Sequence, residues 1–168
     1  MTGKLWTITL ALAFNCAPAA NAIEEGKPAP SAEIKLLDGA QFSLAGQSGK
    51  VVILNFWATW CEPCRAEMPA LDAYYRKHRA EGLEVVAVSM DDAKDEPRVR
   101  EVMRAFAFPA AMARDANVKD YGRIRRIPLT FVIDRRGILR KDGWYGDPGI
   151  DAVLLDKIVT PLLAAPAK

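Results

Sequence analysis

Asn55-Phe56-Trp57-Ala58-Thr59-Trp60-Cys61-Glu62-Pro63-Cys64 is the stretch on which the reading of this chain turns. It leaves an unbroken apolar, β-branched and aromatic run, Val51 to Trp57, the pattern of a strand buried on both faces. It then opens a helix, expected from about Cys61 to Arg79, in which Met68, Leu71 and Tyr75 recur at helical spacing. Pro69 is expected to kink that helix, and Gly82 to end it. The two cysteines therefore stand at a helix start, where free N–H groups and a partial positive charge collect. Both favour a thiolate and lower the pKa of the first thiol. Cys61 is read as the attacking nucleophile, exposed at the helix start. Cys64, about a turn inside the helix and shielded, is read as the thiol that resolves a mixed disulfide by attacking Cys61.

Other uses of a Cys pair are weaker. A C-x-x-C also serves zinc and iron–sulfur sites. Tetrahedral zinc needs four ligands, and the chain holds three cysteines and a single histidine, His78. No metal and no cofactor is expected. A structural staple would join distant segments, whereas a three-position loop adds little on the chain-entropy model. The peroxidatic P-x-x-x-[ST]-x-x-C pattern is missing, because no such proline precedes Cys61.

The 168 residues fit one domain with little left over. The chain is 51% hydrophobic and 26% charged, a globular balance, and its net charge of +2 is too small to suggest a nucleic-acid partner. Residues 1–22 stand apart. One positive charge precedes an apolar stretch, Leu5 to Phe14, and Ala20 and Ala22 form an A-x-A site. This reads as a cleaved signal peptide, with the mature domain at 23–168 beginning at Ile23. The stretch is short of the ~20 apolar residues of a membrane span, yet an uncleaved anchor remains the alternative because the charged region is weak. Cleavage would remove Cys16 and leave Cys61 and Cys64 in an oxidising compartment.

Outward from the motif, Glu33 to Leu37 and Gln41 to Leu44 flank Asp38-Gly39 as a tight hairpin. Leu83 to Ser89 is a second buried strand. Glu96 to Phe106 reads as a helix, Phe108 to Arg114 as a short strand, and Asn117 to Gly122 as one helical turn. Leu129 to Asp134 and Ile138 to Trp144 form a second hairpin, and Ile150 to Leu163 a closing amphipathic helix. The order predicts an α/β fold: a mixed central sheet with helices on both faces, an N-terminal β-hairpin extension and a central βα insertion.

The run Asn55 to Pro69, with Arg65-Ala66-Glu67-Met68-Pro69 following Cys64, resembles the TlpA/ResA-like (DsbE-like) branch of the thioredoxin superfamily. Ile127-Pro128-Leu129-Thr130-Phe131-Val132-Ile133-Asp134 carries the second part of the likeness. The resemblance covers nearly the whole mature chain and implies the thioredoxin fold and thiol–disulfide exchange. It implies that Pro128 is cis and faces the Cys pair, with Ile127 beside it, so that Trp60, Glu62, Pro63, Ile127 and Pro128 form the substrate-binding surface; on sequence alone Pro128 would be an ordinary trans proline. It also places a tuning acid at Glu67. Spacing agrees, since Glu67 lies three residues after Cys64 on one helical face, where a carboxylate can exchange a proton with Cys64 and raise its pKa when ionised. The alternative is a solvated helix-face Glu. Cytosolic thioredoxins have a buried Asp where this chain has Asn55, and the family often has Thr in place of Leu129. Arg123, Arg125 and Arg126 lead into the Pro128 loop, either biasing the site toward acidic partners or simply solvated.

The expected activity is reduction of protein disulfides in the periplasm of a bacterium, apocytochrome c thiols being the family's best-known target. A membrane electron-donor thiol protein must then re-reduce the pair. The alternatives are a disulfide-forming oxidase and a copper-chaperone binding module of related fold. The latter would need a distant His ligand, and only His78, on the same helix, follows the motif.

Overall fold

A computed structural model describes residues 23–166; the signal-peptide reading of residues 1–22, with Cys16, lies outside them. Among the described residues, strands β1 (Glu33–Lys35), β2 (Gln41–Ser43), β3 (Val51–Trp57), β4 (Leu83–Ser89), β5 (Ala110–Met112), β6 (Ala116–Asn117), β7 (Leu129–Ile133) and β8 (Leu139–Lys141) alternate with helices. The helices are α1 (Glu62–His78), α2 (Glu96–Met103), α3 (Ala152–Leu154) and α4 (Thr160–Ala164), the last two joined by a π-helical turn, Leu155–Val159.

The central sheet runs β5-β4-β3-β7-β8. β3 pairs parallel with β4, and β4 parallel with β5, each through a helical crossover. β7 pairs antiparallel with β3, and β8 antiparallel with β7. β3 thus lies at the centre, buried at all seven residues. Its alternate side chains feed two cores. Val51, Ile53 and Trp57 face Met68 and Leu71 of α1, Val99 of α2 and the Leu155–Leu163 segment. Val52, Leu54 and Phe56 face Ile34, Phe42, Tyr121 and Phe131.

All α-helices therefore share one face of the sheet. The other is covered by a second sheet, β2-β1-β6, and by 3-10 turns at Leu44–Gln47 and Lys119–Tyr121, so helices on both faces holds only if these turns are counted. The N-terminal hairpin supplies two of the three strands of that second sheet, because β1 also pairs with β6 from the central insertion. Tyr121 buttresses this layer: its ring meets Phe131 edge-on at 4.9 Å and its hydroxyl donates to the Pro30 carbonyl.

Several expectations shift in detail. The first hairpin does not turn on Asp38-Gly39 as a tight pair. Only Gly39 has positive φ (+91°), and Gly39 N–H closes on the Leu36 carbonyl while Leu36 N–H closes on Ala40, a three-residue loop with a glycine bulge. α1 stays helical through Pro69. α2 ends at Met103, three residues before the expected end. The closing helix is interrupted by its π turn.

Candidate active site

Cys61 caps α1. Its backbone is extended, with φ −86° and ψ 101°, and the Cys64 N–H points at its sulfur at 3.3 Å. A helix-terminal donor aimed at that sulfur is the device that stabilises a thiolate there. Pro63 contributes no N–H. Cys61 and Cys64 are joined as a disulfide. Cys61 is 5% exposed and Cys64 fully buried, so the first sulfur is more covered than expected, while the order of accessibility between the two stands. The exposed neighbours are Trp60, at 67%, with Glu62 and Pro63.

The turn before Cys61 is held from β4. Asp91, buried, accepts from Thr59 N–H at 2.9 Å, from the Thr59 hydroxyl at 2.6 Å and from the Ser89 hydroxyl at 2.7 Å. Met90 N–H donates to the Trp57 carbonyl and Cys61 N–H to the Ala58 carbonyl. Three donors converge on one carboxylate, which fixes where the chain leaves β3. Asp91 is not among the residues expected at the site. The available signal was a Ser-x-Asp at the end of an apolar strand.

Glu67 is not a solvated surface acid. Oε1 accepts from Asn55 Nδ2 at 2.7 Å, and Oε2 from the Ile150 N–H at 3.0 Å. Asn55 sits opposite Thr130 in the β3–β7 pairing and also donates to its hydroxyl at 3.0 Å. Burial pushes the Glu67 carboxyl above its ordinary value; the Ile150 and Asn55 hydrogen bonds and the charge of Lys141 oppose the rise, and Asp147 adds to it. Gly149 is the point of closest approach: a Cβ there would fall 2.5 Å from Glu67 Oε2 and 3.3 Å from Pro128 Cγ.

The Ile127–Pro128 bond is cis. Ile127 lines a groove with Trp60, Met90, Ile124, Arg125 and Arg126, which brings Trp60 of the first motif and Ile127 of the second together; Glu62, Pro63 and Pro128 are not part of that lining. Pro128 and Glu67 both border the space that a Gly149 Cβ would fill. Arg126 is committed elsewhere, donating to the carbonyls of Gly143 and Trp144 and lying over the Trp144 ring. Arg123 and Arg125 are exposed. His78 closes the opposite end of α1, 17 residues from Cys61, roughly 25 Å at the helical rise, so it cannot share a ligand sphere with the cysteines. It is buried against Tyr74 and bonded to Glu81.

Residues 26–142 match the family model described as the AhpC/TSA family. The chain is 39% identical to the thioredoxin-like protein YneN of Bacillus subtilis (strain 168) over 121 residues, 70% of each chain. It is 34% identical to the thiol–disulfide oxidoreductase ResA of the same organism over 142 residues, 81% of this chain and 78% of that one. Among solved structures, a thiol:disulfide interchange protein of the thioredoxin family from Chlorobium tepidum TLS superposes with a TM-score of 0.69 at 30% identity, covering 84% of this chain and 99% of that chain. The protected Cys pair on the helix start, the cis proline and these likenesses agree: the chain belongs to the AhpC/TSA family and is a thiol–disulfide oxidoreductase of the ResA type on a thioredoxin fold.

Proposed function

We propose that the protein is an exported dithiol reductase of protein disulfides, with Cys61 as nucleophile, Cys64 as resolving thiol and Glu67 as the proton acceptor of Cys64. The observation that carries the reading is the partly buried Glu67 carboxylate on α1, held by Asn55 and the Ile150 N–H. In the reduced protein, the Cys61 thiolate attacks one sulfur of a substrate disulfide. The S–S bond breaks, a mixed disulfide forms and the first substrate sulfur leaves as a thiolate. Cys64 gives its proton to Glu67 and attacks Cys61, closing the Cys61–Cys64 disulfide and releasing the second substrate sulfur. The substrate gains two electrons and the pair loses two. A membrane-bound thiol protein then returns them.

Trp60, Met90, Ile124 and Ile127 provide an apolar wall for the substrate segment beside the cysteines, with Glu62 and Pro63 at its edge and the backbone at Ile127 and Pro128 open to pair with an extended peptide. Disulfide-bonded C-x-x-C-H segments of the apocytochrome c type are the proposed substrates. Export rests on the A-x-A pattern at Ala20 and Ala22, with Ile23 as the first mature residue; the mass of the protein recovered from the periplasm checks this, an intact Met1 in the membrane fraction pointing to an anchor. Among the described residues no helix is long and apolar enough to cross a membrane.

The test uses a disulfide-bonded C-x-x-C-H peptide with the reduced protein. The peptide is expected to be reduced stoichiometrically, and the Cys64→Ala variant to trap it on Cys61. Failure to reduce it, with no trapped adduct, would remove the proposed substrate class.

A further inference from the structure

Lys141 is a lysine in a place lysines avoid. It is 5% exposed, on β8 opposite Val132, and Val132 belongs to the core that receives α1. Thr130, two residues earlier on β7, points to the same face and pairs with Asn55. Lys141 therefore projects from the sheet toward the layer that holds Glu67. Its Nζ ends 2.5 Å from the backbone carbonyl of Asp147. Asp147 Oδ1 in turn accepts from Gly149 N–H at 3.2 Å. Gly149 abuts the Glu67 carboxylate, and the next residue, Ile150, donates its N–H to it. The chain of contacts runs from the ammonium, through one loop, to the carboxylate of Glu67, three residues after Cys64 on α1.

The cost of burying an ammonium is several kcal/mol unless nearby groups offset it. Burial holds the Lys141 ammonium below its ordinary pKa, and the carboxylates of Asp147, Glu25, Glu67 and Asp142 offset part of that penalty. Glu25 reaches this region by accepting the Asp142 N–H at 2.9 Å. On Glu67 itself, the charged groups are Lys141 from β8 and Asp147 from the loop that follows it, while Asn55 faces it from β3 and Cys64 shares its helix. A carboxyl in this pocket is pulled toward its neutral form by burial and by Asp147. The Ile150 and Asn55 hydrogen bonds pull the other way, and Lys141 is the cation that adds to them.

We propose that Lys141 is a positioning residue of the active site: it braces the loop that grips Glu67 and supplies the positive charge that keeps Glu67 able to ionise. This rests on Glu67 as the proton acceptor of Cys64. An acceptor held permanently neutral cannot take a proton, so the reductase needs such a cation beside a desolvated acid.

The test is a pair of site-resolved NMR titrations on the reduced protein. Carboxyl-labelled Glu67 is followed in wild type, Lys141→Met and Lys141→Arg, with Glu67→Gln identifying the signal. Loss of the cation is expected to raise the Glu67 midpoint by about one pH unit, and arginine to restore it. Because coupling is reciprocal, Glu67→Gln must lower the midpoint of the Lys141 ammonium by a similar amount. This second arm needs no change at Lys141 and decides the matter if Lys141→Met fails to fold. Coincident midpoints in either arm would overturn the inference. The role of Glu67 at Cys64 is read separately, from the pH–rate profile of Glu67→Gln: an unchanged profile would remove that role while leaving the measured coupling in place.

Discussion

Glu67 carries a conflict between burial and charge. Its spacing after Cys64 makes it visible in the sequence, but its environment comes from residues far along the chain, with Ile150 83 positions away. No local pattern reports such contacts, which is why Asn55 was legible as a departure from the family while Lys141, Asp147 and Gly149 were not. Lys141 sits in a strand where alternation would place it half in solvent, and only the fold buries it. The sign of the Glu67 effect on stability follows from its raised pKa. An acid with a higher pKa folded than unfolded costs stability as pH rises from its unfolded value, 4.5, through its folded value. Glu67→Gln removes that cost. Relative to wild type, the variant is expected to gain thermal stability at pH 7 compared with pH 4, because the amide does not ionise and so escapes the penalty that burial puts on the charged carboxylate. Its thiol-exchange rate should lose the pH dependence due to Glu67. Parallel stability–pH curves for the two proteins would contradict the burial argument. Gly149→Ala probes the same contact sterically. Its Cβ would strike Glu67 Oε2, so we expect a loss of about 1–3 kcal/mol in denaturant unfolding together with a shifted pH–rate profile; an alanine variant indistinguishable from wild type in both would mean that Glu67 moves freely.

At the level of elements, the turn between β3 and α1 determines what Cys61 can do. β3, β4 and the start of α1 were readable because long apolar runs and helical spacing are local signals; the observed β3 and β4 bounds coincide with the expected ones. Two-residue β6 has no periodicity to read, so the stretch near Asn117 looked like a helical turn alone and the second sheet went unseen. The π turn at Leu155–Val159 keeps Leu155 and Val159 buried, a packing outcome that apolar spacing alone reads as an unbroken helix. Asp91 anchors the turn, and Asp91→Ala leaves the Thr59 and Ser89 donors buried without their acceptor. The expected loss is roughly 3 kcal/mol in chemical denaturation, and a loss near zero would show that the turn holds itself. The helix start also orders the thiols. Brief alkylation of the reduced protein followed by peptide mapping should label Cys61 before Cys64, since the α1 N–H groups face Cys61 and the core encloses Cys64. Preferential labelling of Cys64 would reverse the assigned roles.

Over the whole molecule, one face of the sheet carries α1 and its cysteines, and the other carries a β-layer that contributes nothing to the site directly. The direction of electron flow is set at the site. A strong oxidase over-stabilises its reduced form through a very acidic first thiol. Here the residues between the cysteines are Glu62, an exposed acid in the first turn, and Pro63, which offers no N–H. The first opposes charge on Cys61 and the second withholds a donor, leaving the helix terminus and the Cys64 N–H as the main support. Each pKa unit of lost thiolate stabilisation is worth about 1.4 kcal/mol, or roughly 30 mV for a two-electron couple. The claim that this protein is a reductase is tested most directly by the equilibrium reduction potential of the Cys61–Cys64 pair against glutathione. The expected result is about −180 mV or lower; a value near −120 mV, that of a strong oxidase, would contradict it.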